Sequence, residues 1–266
     1  MNNKNISNEL ESLFSEWKKR LGTHFTKDGV MYRNGKTNEQ VEQEWMASPI
    51  RVAFLLKDQH QFDSKTSNED IRYWLKDMPK DNPDARENKK RNRNLIPPKF
   101  NNGKRARKSI FKPIAFLLWG LSKVGKGANW EFNDVKANLE EVKKFINSQP
   151  FALVECKKDP GGPECKDPIL KQHIKHYGDL LKKEIEILNP NMIVCTNIII
   201  YNSVKNMFPI DEITEFGDNP QLGKIAYHQK TSTFIFSSLH PSARRSYQYM
   251  YDYIIHNYRI FLQSTT

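Results

Sequence analysis

The stretch Arg51-Val-Ala-Phe-Leu-Leu-Lys-Asp58 decides the fold. Val52 to Leu56 form an unbroken apolar run with charged residues at both ends. A strand with one wet face alternates apolar and polar positions, so so short a continuous run reads as a strand covered on both faces. Phe151-Ala-Leu-Val-Glu155 and Met192-Ile-Val-Cys-Thr196 read the same way. Between them, Ile169–Leu188 places Leu170, Ile174, Tyr177, Leu181, Ile185 and Leu188 at three- and four-residue spacing, the period of a helix with one buried stripe. Asn189-Pro190 ends that helix. Buried strands alternating with helices predict an α/β fold with a parallel sheet.

The remaining chain extends this pattern. Asn8–Leu21 is a predicted helix with Leu10, Leu13, Phe14, Trp17 and Leu21 on one side, and Thr23–Arg33 has no clear period. Asn68–Met78 reads as helical. Ser109 is the expected cap of a helix carrying Ile110, Phe111, Ile114, Leu117, Leu118 and Leu121, and a second helix begins at Asn133 or Asp134. A helix is expected from Asn197 to about Phe208, strands at Lys224–His228 and Thr231–Phe236, and a last helix over Arg244–Leu262. Pro79–Lys108 and Cys156–Pro168 read as loops. The division expected is a helical amino-terminal extension, 1–50, followed by one α/β domain, 51–266, with a basic insert at about 79–108.

Composition narrows the partners. The 266 residues carry a formal net charge of +11. Lys80–Lys108 alone holds eleven Lys and Arg against Asp81, Asp84 and Glu87. Such a balance points to a polyanion, with DNA as the expected partner and Lys104, Arg105, Arg107 and Lys108 as candidate phosphate contacts. A solvated polar loop is the plain alternative. No apolar run approaches the ~18 residues of a membrane span, and Met1–Glu11 lacks the apolar core of a signal peptide. A cytoplasmic, monomeric protein without membrane contact is expected. The three cysteines, Cys156, Cys165 and Cys195, include no CxxC pair, so neither a disulfide framework nor a metal site or other cofactor is expected.

Ligands of parallel sheets bind outside the carboxyl ends of the strands. That directs attention to Lys57–Asp63, Glu155–Pro168, Thr196–Asn197 and Ser237–Arg245. The first segment puts Asp58 after a buried strand, where a carboxylate is also a common turn residue. The last, Phe234-Ile-Phe-Ser-Ser-Leu-His-Pro-Ser242, delivers a His-Pro-Ser loop just before the terminal helix.

Together these segments resemble the uracil-DNA glycosylase superfamily. In Val52-Ala-Phe-Leu-Leu-Lys-Asp-Gln-His60, Lys57, Asp58, Gln59 and His60 fall on the family's Gln-Asp-Pro-Tyr turn, and His240-Pro-Ser242 resembles its last motif. Ala152–Cys156, a Pro-containing loop, a long helix and Leu188-Asn-Pro-Asn-Met-Ile-Val194 resemble the middle of its thermophile-type members. The resemblance covers about residues 51–262. It implies a three-layer α/β/α fold with a central parallel four-stranded sheet, and hydrolysis of an N-glycosidic bond in DNA with no cofactor. It implies Asp58 and His240 as the catalytic pair. Gln59, His60, Phe100, Glu155 and Asn197 would line the base pocket, and Lys57, Ser242, Arg244 and Arg245 would hold the backbone. The carboxylate would stabilise the cationic sugar or activate water, and the histidine would donate to the base oxygen that becomes anionic. A base within a duplex would first be flipped out, with Arg244 at the family's wedge position.

The departures concern specificity. Uracil-removing members read the base with an Asn at the end of the second core strand; here that strand offers Ala152 or Glu155. A Glu accepts from an exocyclic amino group such as cytosine N4. His60 replaces the Tyr that excludes a methyl group, and Phe100, in Pro-Lys-Phe-Asn-Asn-Gly103, resembles the segment that stacks on the base. The cluster cysteines of thermophile-type members are matched only near Cys156 and Cys165. A modified cytosine, including the hypermodified cytosines of phage DNA, is therefore the expected base, which would make this a defence enzyme. A conventional uracil or mismatch glycosylase and a non-catalytic DNA-binding module on the same fold stay open.

Overall fold

A computed structural model describes residues 5–22, 25–33, 35–60, 70–73, 75, 106–124, 131–161, 165–216, 225–241 and 247–265. The helices are α1 (Ile6–Leu21), α2 (Asn38–Ala47), α3 (Ala106–Val124), α4 (Phe132–Ala137), α5 (Leu139–Ser148), α6 (Asp167–Leu188), α7 (Ile198–Lys205) and α8 (Tyr247–Thr265). The strands are β1 (Gly29–Val30), β2 (Val52–His60), β3 (Ala152–Gly161), β4 (Met192–Cys195), β5 (Ile213–Phe216), β6 (Ile225–His228) and β7 (Thr233–Ser237). They form one mixed sheet in the order β1-β3-β2-β4-β7-β6-β5.

The four central strands, β3, β2, β4 and β7, run parallel. They are the continuous apolar runs of the sequence and the late strand before His240. The sheet is wider than the four strands expected: β1 adds antiparallel at one edge, and the antiparallel β6 and β5 extend the other. The edge pair follows from the tight turn at 229–232, with Ser232 at φ 52, which returns the chain beside its own strand.

The central strands carry continuous apolar runs because those runs bury both faces. Val52, Phe54, Leu56, Leu153, Met192, Val194, Phe234 and Phe236 pack with α3, α4, α5 and α8. Ala53, Leu55, Ala152, Val154, Ile193, Cys195 and Ile235 pack with α1, α2, α6 and α7. Successive strand residues point to opposite faces, so a two-sided apolar strand means a layer of helices on each side. The amino-terminal residues belong to this second layer: Leu10, Leu13, Phe14, Trp17, Val41 and Trp45 share its core.

Several boundaries differ from expectation. The helix expected from Ser109 starts at Ala106, so Arg107 and Lys108 lie in the first turn of α3 and not in a loop. The single helix expected from Asn133 or Asp134 is two, α4 and α5, meeting at Asn138. The helix α2 had no counterpart in the sequence reading; a reciprocal capping box between Thr37 and Gln40 starts it. Both strands leading to the site are longer than expected. β2 runs through His60 and β3 through Gly161, so Cys156–Gly161 is strand where a loop was expected.

Candidate active site

Register places the sequence-predicted residues. Leu55, Cys195 and Ser237 form one line across β2, β4 and β7. Asp58 and His240 each lie three residues beyond that line, at the carboxyl edge of the parallel strands. The edge is closed by Thr196, whose N–H donates to the Leu55 carbonyl at 3.0 Å, and by Ser238, whose N–H donates to Cys195 at 2.8 Å. Asp58 is not in a turn after the strand. It is a paired residue within β2, opposite Lys157 of β3, and His60 pairs with Gly161 after an irregularity in register. Gln59 and His60 are the last residues of β2.

His240 sits just past β7, partly covered. Burial, and then the nearby Lys57 ammonium, push its imidazole down to about 4. The ring is therefore neutral near pH 7, with one nitrogen carrying a proton and the other an acceptor. A neutral ring is a hydrogen-bond donor rather than a cation.

Lys57 is paired in the structure. Its Nζ lies 2.7 Å from Asp167 Oδ1 at the start of α6. The same oxygen is 3.4 Å from Asn197 Nδ2, and Asn197 Oδ1 caps α7 by accepting from the Ile199 N–H at 2.7 Å. Lys57, Asp167 and Asn197 thus form one polar group over the sheet edge. A carboxylate at a helix start and a polar cap are both favoured by the exposed N–H groups there. Asp167 had no part in the sequence reading; Asp167-Pro168 is the signal of a helix start that places it.

Glu155 is set deeper than a pocket residue at the level of Asp58. It pairs with Leu56, is 2% exposed, and its N–H donates to Asp28 Oδ2 at 2.6 Å. Arg107 and Lys108 begin α3. Phe100, Lys104, Arg105, Ser242, Arg244 and Arg245 lie outside the described residues, as does most of 79–108.

Cys156, Cys165 and Cys195 are buried thiols outside any disulfide. Burial raises the thiols of Cys156 and Cys195 well above the ordinary range, which marks core thiols and not nucleophiles. Among the described residues, no cluster of three or more His, Cys, Asp or Glu is arranged to hold a metal ion, and no helix is long and apolar enough to cross a membrane. No protein-family profile, curated protein or solved structure matches the chain.

Proposed function

We propose that the protein is a DNA glycosylase that hydrolyses the N-glycosidic bond of a modified or non-canonical base, with Asp58 and His240 as its catalytic pair. The observation that carries this reading is the register of the parallel strands. Two residues 182 positions apart in sequence arrive at one sheet edge, each three residues past the line Leu55–Cys195–Ser237. The four adjacent parallel strands covered by helices on both faces agree with the uracil-DNA glycosylase resemblance.

The electrostatics suit the chemistry. Cleavage builds positive charge on the sugar and negative charge on the departing base. A carboxylate at position 58 stabilises the first and orients water for attack at the anomeric carbon. A neutral His240 donates to the second, and the Lys57 ammonium beside it adds a positive potential at the same place. The basic net charge favours encounter with a polyanion.

The test is a panel of oligonucleotides carrying uracil, hypoxanthine, hydroxymethylcytosine or glucosylated hydroxymethylcytosine, scored for abasic sites. Release of a modified cytosine is the expected result. Asp58→Asn and His240→Ala each lower single-turnover release by about two orders of magnitude or more, the scale of removing a catalytic group, while DNA binding persists. Release of uracil alone would replace the modified-base reading with conventional repair. Binding without release from any member of the panel would leave a DNA-binding module.

A further inference from the structure

Asp28, Lys158 and Glu184 have fully buried side chains, all at 0% exposure. They come from the segment before β1, from β3 and from α6. Lys158 Nζ bonds Asp28 Oδ1 and lies 2.9 Å from Glu184 Oε1. Three buried ionisable groups are costly to desolvate, and apolar side chains of similar size would fill such a space at least as stably. Their arrangement therefore calls for a reason beyond stability.

The outer edge of β3 supplies one. β1 pairs with β3 only at Gly29–Leu153 and Val30–Ala152. Beyond that point, among the described residues, the strand has no regular neighbour on this side. The Asp28 carboxylate takes over, accepting the Glu155 N–H at 2.6 Å, and the Thr26 N–H donates to the Lys158 carbonyl at 2.8 Å. Lys158 then balances the Asp28 charge and reaches α6 through Glu184. Burial works against the Lys158 charge, but Asp28 and Glu184 outweigh it and raise its pKa. Burial, and then Asp28, push the Glu184 carboxyl well above the usual range.

A second tie follows immediately. The Lys158 N–H donates to His173 Nε2 at 3.3 Å, and His173 Nδ1 lies 3.0 Å from Asp159 Oδ1. Lys157 Nζ closes back on the Asp159 carbonyl at 2.6 Å. The Glu155 N–H, the Lys158 N–H and the Lys158 carbonyl are thus each engaged from this side, and the other edge of β3 carries β2 at Asp58. Lys158 itself is enclosed and doubly engaged, so it is no nucleophile toward an abasic sugar.

We propose that Asp28, Lys158 and Glu184 are positioning residues that hold the carboxyl end of β3, and through the Asp58–Lys157 pairing hold Asp58, in the geometry that base release requires. This inference rests on the glycosylase reading. Its test uses the full chain and the oligonucleotide of the panel that wild type cleaves fastest, measuring the single-turnover rate at saturating protein, the Kd for DNA and the thermal midpoint. Asp28→Asn is expected to slow release tenfold or more with Kd within about twofold. Glu184→Ala slows it similarly, and Glu184→Gln, which keeps an oxygen that can accept from the Lys158 ammonium, restores most of the loss. If Asp28→Asn does not fold, Asp28→Asn/Lys158→Met removes both charges together and is read in its place; it too is expected to be slow. A folded double variant with the wild-type rate, or equal losses in rate and Kd, would overturn the proposal. Wild-type inactivity across the panel would instead remove the glycosylase reading, and this inference with it.

Discussion

The two faces of the sheet are built on different principles. Under α3, α4, α5 and α8 the core is apolar and aromatic. Phe132 packs on Phe116 at 5.8 Å and on Tyr251 at 5.7 Å, and Phe234 meets Phe261 at 4.6 Å between ring centroids. Under α1, α2, α6 and α7 the core has similar apolar residues but also encloses Asp28, Lys158, Glu184 and His173. Trp17 bridges the two characters there, with the Lys158 ammonium 5.6 Å over its ring and His173 stacked at 6.2 Å. The first face is held mainly by shape, with Glu155, Lys157 and Arg33 buried toward its margin. The second needs matched charge, because a strand that outruns its neighbour leaves main-chain groups that side chains must satisfy. The charged face is the one behind the carboxyl end of β3, beside Asp58.

Breaking charge balance on the second face should have the largest effect. Lys158→Met alone leaves the Asp28 carboxylate buried without its cation, which costs about 3–5 kcal/mol. Chemical denaturation of the variant checks this. Asp28→Asn/Lys158→Met should recover most of the loss, because the uncompensated charge goes with its partner. A double variant no more stable than the single would mean that packing, not charge, dominates this face, and the contrast between the faces would collapse.

Shape on the first face gives the next effect. Gly120 of α3 lies against Tyr251 of α8, and a Cβ at Gly120 would meet the ring at 2.4–2.8 Å. Tyr251 is 1% exposed and cannot swing into solvent. Gly120→Ala gains up to ~1 kcal/mol of helix propensity, but overpacking costs about 1–3 kcal/mol. A net loss of about 1–2 kcal/mol is expected, read as a lower thermal midpoint with no change in DNA affinity. A gain in stability would show that α3 and α8 can separate freely, and that the aromatic face is looser than its packing.

The difference between the faces also explains what the sequence discloses. The central strands are legible because apolar burial on both sides writes a continuous run, as in Val52–Leu56 and Met192–Cys195. The long helix α6 is legible from its stripe. The end of β3 is not: Cys-Lys-Lys-Asp-Pro-Gly161 has the composition of a loop and becomes strand through partners far along the chain. Lys158 lies 130 residues from Asp28 and 26 from Glu184, and no local period relates them. Two-residue β1 is too short to carry a pattern, and β5, Ile-Thr-Glu-Phe216, lacks the continuous apolar run that marks the equally short β4. At the candidate site, Asp58, Asn197 and His240 could be chosen because strand ends bear ligands. The pairing of Lys57 with Asp167 could not, since it depends on where α6 begins.

His240 offers the smallest and most local test, because both faces influence it. The neighbouring Leu239 packs against the aromatic core, while Lys57 acts from the side of Asp167. Its pKa falls from an ordinary 6.5 to about 4 on folding. Between those values the unfolded chain binds a proton that the folded chain refuses, so stability must decrease as pH falls from about 6.5 toward 4. Partial solvent access limits the contribution to about 1 kcal/mol. His240→Gln should flatten that part of the stability profile without changing it above pH 7. Lys57→Gln should move the imidazole back toward 6.5, seen directly by NMR titration of the ring. The same shift bears on chemistry. If the active ring is neutral, base release by wild type stays level from pH 8 to 5 on the His240 limb and declines only toward 4, whereas in Lys57→Gln, where burial alone still lowers the ring, the decline begins at a somewhat higher pH. A wild-type decline centred near 6.5 would mean that His240 is an ordinary surface imidazole, and that neither the aromatic core nor Lys57 reaches it.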